Sequence, residues 1–189
     1  MLKSIENERF SKIKSGDSPL EKAEYDYCQF VDCDFSDANF RDFVFAECTF
    51  TNCNLSNATI INCGFKDVKF INCKALGLQF ANCNPFLFEV NFKDCLLNHC
   101  SFYKLNLKKA NFENCSLEES DFVEANLTEA VFKNSNLLGA IFENSILEKA
   151  DFKTAINFRI NPSTNRITKA IFSSENLSGL LLDFKIIIK

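Results

Sequence analysis

Tryptophan is absent from this 189-residue chain, and methionine and histidine occur once each. Five glycines form no phosphate-cradling loop. The lone His99 is expected to point outward into solvent, and no serine or cysteine is paired with an obvious base. No run of twenty apolar residues exists, which excludes a membrane-spanning helix of ordinary length. The opening residues Met1 to Glu8 lack the apolar core of a signal peptide. The formal charge of −4 comes with no basic patch, so direct nucleic-acid contact is not expected. The ten cysteines form no Cys-x-x-Cys pair. Neither a metal site nor a disulfide framework follows from their spacing, and a reducing cytoplasm is the expected compartment.

What the chain does contain is a five-residue period. Large apolar centres run from Tyr25, Phe30 and Phe35 to Phe80, then resume after a two-residue slip as Leu87, Phe92, Leu97 and onward to Phe152. Of these 26 centres, 24 are Phe, Leu or Ile. Two residues before most of them stands Cys, Ala or Ser, as at Cys28, Cys33, Ala38, Ala125 and Ala140. A period of five fits neither a helix nor a plain strand and indicates a repeat architecture. If positions i and i−2 both point inward, the remaining three residues turn a corner, and four corners close a square coil. Small residues at i−2 follow from a narrow interior that Phe or Leu at i nearly fills. Free cysteine behaves here as a small apolar residue.

A twenty-residue rung should place like positions in ladders. Asp32, Asn52, Asn72, Asp94, Asn114 and Asn134 form such a series. Glu89, Lys109, Glu129 and Lys149 alternate in sign, as do Lys93, Glu113 and Lys133. Between Leu87 and Phe152 the alternation of Leu and Phe predicts Phe on one pair of opposite faces and Leu on the other.

Runs such as Cys33-Asp34-Phe35-Ser36-Asp37, Ala110-Asn111-Phe112-Glu113-Asn114 and Ala125-Asn126-Leu127-Thr128-Glu129 resemble the A-(D/N)-L-x-x motif of pentapeptide repeat proteins. The resemblance implies an all-β fold, a right-handed quadrilateral parallel β-helix. It covers residues 23–154, with 1–22 expected as an N-terminal cap and 155–189 as a C-terminal cap. In that C-terminal segment a hairpin is expected around Asn161 to Asn165, then a short helix over Ser174 to Asp183 and a strand at Lys185 to Ile188. At the slip, Leu87 is expected to point inward with Phe86 and Phe88 outward, and Pro85 to interrupt pairing.

No constellation for catalysis emerges, and no cofactor is expected; the interior is filled and the walls are flat. Function therefore falls to the surface. Two acidic bands stand out: Asp32, Asp34, Asp37 and Asp42, then Glu113, Glu118, Glu119, Asp121, Glu124 and Glu129, a stretch without Lys or Arg. The main reading is a non-enzymatic scaffold that binds a protein partner through its walls. The alternative comes from the resemblance to the quinolone-resistance branch of the family. It implies that the acidic bands imitate duplex DNA toward DNA gyrase or topoisomerase IV, which are type II topoisomerases. The same branch implies a homodimer through the C-terminus, with Leu177, Leu180, Leu181, Phe184, Ile186 and Ile188 as interface candidates.

Overall fold

The computed structural model describes residues 2–184, 186 and 187. Its strands are β1 (Lys3–Glu6), β2 (Arg9–Ser11), β3 (Ala23–Asp26), β4 (Gln29–Val31), β5 (Val44–Ala46), β6 (Thr49–Thr51), β7 (Gly64–Ile71), β8 (Phe88–Lys93) and β9 (Phe112–Glu113). All pair in parallel, β1 on β3, β3 on β5 and β5 on β7 along one wall of a solenoid. On the adjoining wall β2, β4, β6, β7, β8 and β9 follow in turn. The other two walls are stitched by single parallel bridges, such as Asp34 to Asn54 to Lys74 to Leu96 to Ser116. The twenty-residue register, for example Phe30 opposite Phe50, is what a four-sided coil of five-residue sides requires.

The four walls carry the centres in rotation. The first holds Tyr25, Phe45 and Phe65; the second, Phe30, Phe50 and Phe70; the third, Phe35, Leu55 and Ala75; the fourth, Phe40, Ile60 and Phe80. All twelve are buried. On the second wall Phe10, Phe30, Phe50, Phe70, Phe92, Phe112, Phe132, Phe152 and Phe172 form an unbroken stack, with ring centroids 4.6 to 5.4 Å apart and planes within 14°. A second stack of Phe80, Phe102, Phe122 and Phe142 rises on the fourth wall at 4.9 to 5.0 Å. The two stacks meet edge to face, as at Phe112 and Phe122, 5.9 Å apart and 88° inclined. Leucines of the third and first walls fill the remainder, so the expected partition of Phe and Leu is met from Phe92 onward. Each such aromatic pair contributes about 0.5–1.5 kcal/mol beyond the area it buries.

The corners have a cause that periodicity alone does not reveal. Position i+2 is left-handed at corner after corner, including Asp32 (φ 54°), Asp37 (54°), Asn52 (55°), Asn114 (54°) and Glu124 (57°). Asn, Asp and Gly reach this conformation most easily, which is why they crowd that position. At many corners the N–H of i+3 then donates back to the carbonyl of i, as Ala38 does to Phe35 at 3.1 Å and Ala110 to Leu107 at 3.0 Å.

Several expectations need correction. Residues 1–22 were expected as a cap, yet β1 and β2 pair in register with β3 and β4, and Phe10 stacks on Phe30 at 5.1 Å. The segment is a rung of the coil. The expected hairpin around Asn161 to Asn165 is absent among the described residues: Arg166 bridges Ile146 and Ile171 bridges Asp151, both in parallel. Twenty-residue spacing outweighs the local turn, because it buries Asn165 above Ser145 and sets Phe172 on Phe152 at 5.4 Å. In place of one helix over Ser174 to Asp183 there are two 3-10 turns, Leu177–Leu180 and Leu182–Phe184. Of the expected terminal strand, Lys185 and Ile188 lie outside the described residues, and Ile186 and Ile187 have no regular structure.

At the slip, Leu87 and Phe88 exchange the expected roles. Phe88 pairs with Phe65 and sets its ring 5.9 Å from Phe80, while Leu87 ends a 3-10 turn, Pro85–Leu87. Leu87 lies outside the coil over Gly64, where an added Cβ would meet its Cδ1 at 3.2 Å. A shift of one residue reverses which side chain faces inward. Below, the step from Phe65 to Val68 turns through a corner at Asp67 (φ 48°); above, Phe88 reaches Val90 through Glu89 alone. The net two-residue slip is thus three residues inserted and one corner residue removed.

Candidate interaction surfaces

The solenoid register fixes where each acidic candidate stands. Asp34, Asp37, Glu118 and Glu119 share the third wall; Asp42, Asp121 and Glu124 the fourth; Asp32 and Glu113 the second; Glu129 the first. All four walls are represented. From Asp34 to Ser116 the bridged column passes through Asn54, Lys74 and Leu96. Four rungs at about 4.8 Å separate the two bands by about 19 Å. That exceeds the roughly 8 Å screening length of physiological salt, so the bands do not act as one field.

The same register brings a cation next to many of these carboxylates. Lys22 reaches Asp42 at 2.8 Å, and Asn62 donates to the same carboxylate at 2.9 Å. Glu113 lies between Lys133 at 2.8 Å and Lys93 at 3.9 Å. Glu124 pairs with Lys104 at 3.4 Å, and Glu129 with Lys149 and Lys109 at 3.5 and 3.9 Å. His99 Nδ1 approaches Glu119 at 3.3 Å. Hydrogen bonds from Lys22 and then Asn62 hold Asp42 below its ordinary range, and the bond from Lys133 does so for Glu113. Asp34 is lowered by the Ser36 hydroxyl at 2.7 Å and the Ser36 amide at 3.1 Å. Asp32 accepts from Asn52, Glu118 from Asn136, and Asp121 from the Val123 amide. Each exposed pair contributes little to stability. Their effect is to break the bands into alternating charge.

The interior is devoid of grouped acid–base partners among the described residues. Cys33, Cys53, Cys73, Cys95 and Cys115 stack along the third wall, all buried and unbridged. The Sγ atoms of Cys53, Cys73 and Cys95 donate to the carbonyls of Phe30, Phe50 and Phe70, each at 3.4 Å. Burial pushes the Cys48 and Cys100 thiols up to about 12. At those two positions the thiol stays protonated and is no nucleophile.

Concavities open on the surface among the described residues, and two of them bear on binding. One, of about 380 Å³, lies on the first wall above the slip and is lined by residues including Phe88, Glu89, Asn106, Lys108 and Lys109. The other, of about 760 Å³, lies near the C-terminal end between Leu138, Ile141, Arg159 and Leu182. There Arg159 Nε donates to Asp183 at 2.7 Å, tying the last turn to the coil. Leu138, at the outward i+1 position after Leu137, is about half exposed. Ile141 and Ile156 were not singled out, although both occupy outward i−1 positions and stand about half exposed. At the slip Phe86 projects into solvent, 93% exposed. Of the dimer candidates, Leu177, Phe184 and Ile186 are exposed, Leu180 packs against the core and Leu181 is half-buried; Ile188 lies outside the described residues.

The pentapeptide repeat region model matches residues 18–86, 43–122 and 87–180. The chain belongs to the pentapeptide repeat family. Among solved structures it is similar to a trypsin-treated form of QnrB1, a plasmid-mediated fluoroquinolone resistance protein, at 14% identity and a TM-score of 0.63 with both chains fully covered. It is also similar to HetL from the cyanobacterium Nostoc sp. strain PCC 7120, a pentapeptide repeat protein involved in heterocyst differentiation regulation. There the identity is 15% and the TM-score 0.48, covering 90% of this chain and 84% of that one. No curated protein sequence matches the chain. At these identities the likeness to QnrB1 establishes the coil.

Proposed function

We propose that this chain is a non-enzymatic scaffold that docks a protein partner on its outer walls. The observation that carries this reading is the filled interior: two aromatic stacks and their leucine neighbours occupy the tube, and chemistry is confined to the faces. The third and fourth walls toward the C-terminal end support it best, since Leu138, Ile141 and Ile156 are outward, apolar and close to a groove. No helix among the described residues is long and apolar enough to cross a membrane, and a cytoplasmic partner is proposed. A photo-crosslinking residue placed at Ile141 is expected to capture one partner that a probe at Asn54 does not. Equal background capture at both positions would refute the docking wall.

Modulation of a type II topoisomerase by acidic mimicry is the competing proposal. Its ten carboxylates stand on four walls and several are lysine-paired, which favours the scaffold. Gyrase supercoiling with and without a fluoroquinolone separates the two. Protection that disappears when Glu118, Glu119, Asp121 and Glu124 are neutralised together would reinstate the mimic. We further propose that two copies meet through Leu177, Phe184 and Ile186. Sedimentation is expected to show a dimer that Leu177→Asp with Phe184→Asp converts to monomer; an unchanged mass would exclude that interface.

A further inference from the structure

The notch on the first wall is an open section of sheet edge near the middle of the coil. One rung higher on this wall the ladder is complete: Leu107 N–H donates to Asn126 C=O at 2.8 Å, Lys109 N–H to Thr128 C=O at 2.9 Å, and Asn126 N–H to Leu105 C=O at 2.9 Å. In the slip rung the groups that would continue it are diverted. Leu87 N–H turns back to Asn84 C=O at 3.2 Å, and no left-handed corner forms at Glu89. Asn111 N–H takes the Asn91 side-chain oxygen at 3.0 Å. Asn106 N–H, Asn106 C=O and Lys108 C=O therefore have no backbone partner among the described residues, and both residues line the notch.

An unpaired edge of this kind is a template for an added strand. The surrounding turn is pre-organised: Pro85 starts it and Asn84 Oδ1 accepts from Phe86 N–H at 3.1 Å. The volume of about 380 Å³ falls at the small end of ligand sites and suits a short length of extended chain. Lys108 and Lys109 face one carboxylate, Glu89, in the lining. Lys109 is shared with Glu129 at 3.9 Å, which leaves Lys108 as the cation for an incoming group.

We propose that this notch receives an extended acidic peptide segment of the partner protein, whose main chain pairs with the Asn106–Lys108 edge while a carboxylate meets Lys108. The proposal rests on the scaffold reading and gives it a recognition chemistry. The probe is a pool of terminally blocked hexapeptides with one fixed Glu and otherwise random sequence, used beside its backbone N-methylated counterpart. With the full chain, the pool is expected to slow amide exchange at Asn106 roughly tenfold at millimolar concentration, and the N-methylated pool to leave it unchanged. Lys108→Glu is expected to weaken binding roughly tenfold and to restore it for a pool with fixed Lys. Inserting one asparagine between Glu89 and Val90 rebuilds the missing corner and is expected to abolish binding. Equal action of the two pools, or no slowing with either, overturns the site. If the wall-crosslinked partner persists when the notch is closed, the notch is not its site and the scaffold stands. If peptide binds while no partner crosslinks to any wall, the notch stands and the docking wall fails.

Discussion

At the scale of single residues, the corner position does two jobs in this coil. Asn114 sits at φ 54°, donates to Asp94 at 2.8 Å and accepts from Asn134 at 3.1 Å. Asn114→Val places a β-branched residue in the left-handed region and removes both bonds; a loss of about 2 kcal/mol is expected in urea unfolding. Asn114→Gly keeps the conformation and loses only the bonds, so about half that loss is expected; equal losses would show that backbone handedness is not the cause. The inward thiols make a second residue-scale expectation. Cys48 titrates near 9.0 when exposed and about 12 in the fold, so the native state keeps a proton that the unfolded chain releases. Its stabilisation is fully present below pH 9.0 and is lost as pH climbs toward about 12. Cys48→Ala is expected to make the alkaline decline shallower by up to about 1.4 kcal/mol per pH unit, measured by urea unfolding across that window. The lowered carboxyls of Asp34, Asp42 and Glu113 act oppositely. Their support is present above the ordinary carboxylate range and fades as pH falls through their folded values, weakly because they are solvent-exposed.

At the scale of elements, the aromatic stack sets the rungs. Phe112 touches Phe92 and Phe132 face on at 5.4 and 5.0 Å and Phe122 edge on. Phe112→Ala is expected to cost about 3–5 kcal/mol, whereas Phe86→Ser at the exposed slip should stay within about 0.5 kcal/mol. Comparable losses at the two sites, measured by chemical denaturation, would contradict the packing described here. How legible these elements were in the sequence depended on composition. The alternation of Phe112, Leu117, Phe122 and Leu127 announced the inward positions, because no other arrangement buries them all. Leu87 and Phe88 were not separable, since both are apolar and a one-residue shift suits either. Beyond Phe152 the pattern faded where Asn157 and Pro162 replaced large apolar centres and Asn165 replaced a small one. There the parallel register persisted through main-chain pairing, which side-chain type does not report. The pairing of Glu113 with Lys93 and Lys133 and of Glu129 with Lys109 and Lys149 was legible in the twenty-residue ladders, whereas that of Asp42 with Lys22 and Glu124 with Lys104 emerges only when rungs are superposed.

At the scale of the molecule, each end of the tube needs closure. Gly179 closes one end: an added Cβ would stand 2.5 Å from both the Phe158 ring and its carbonyl, and Gly179 is buried there. Asn176 fastens the same segment by donating to Phe152 C=O at 3.0 Å and Ala155 C=O at 3.1 Å. Gly179→Val is expected to release the last turns while the coil stays folded, seen as faster amide exchange after Phe172 with unchanged exchange at Phe112; global unfolding would show that the end is integral to the core. A linear array is held by neighbour contacts alone, so its cooperativity is only as strong as its weakest junction. The missing corner at Glu89 makes such a junction near mid-length, where the third and fourth walls bind fully, the second loses one main-chain bond to the Asn91 side chain and the first is open. Denaturation of this protein should therefore resolve into two blocks parting at that seam, and an evolutionary break or a splice between unrelated coils would find its natural place there.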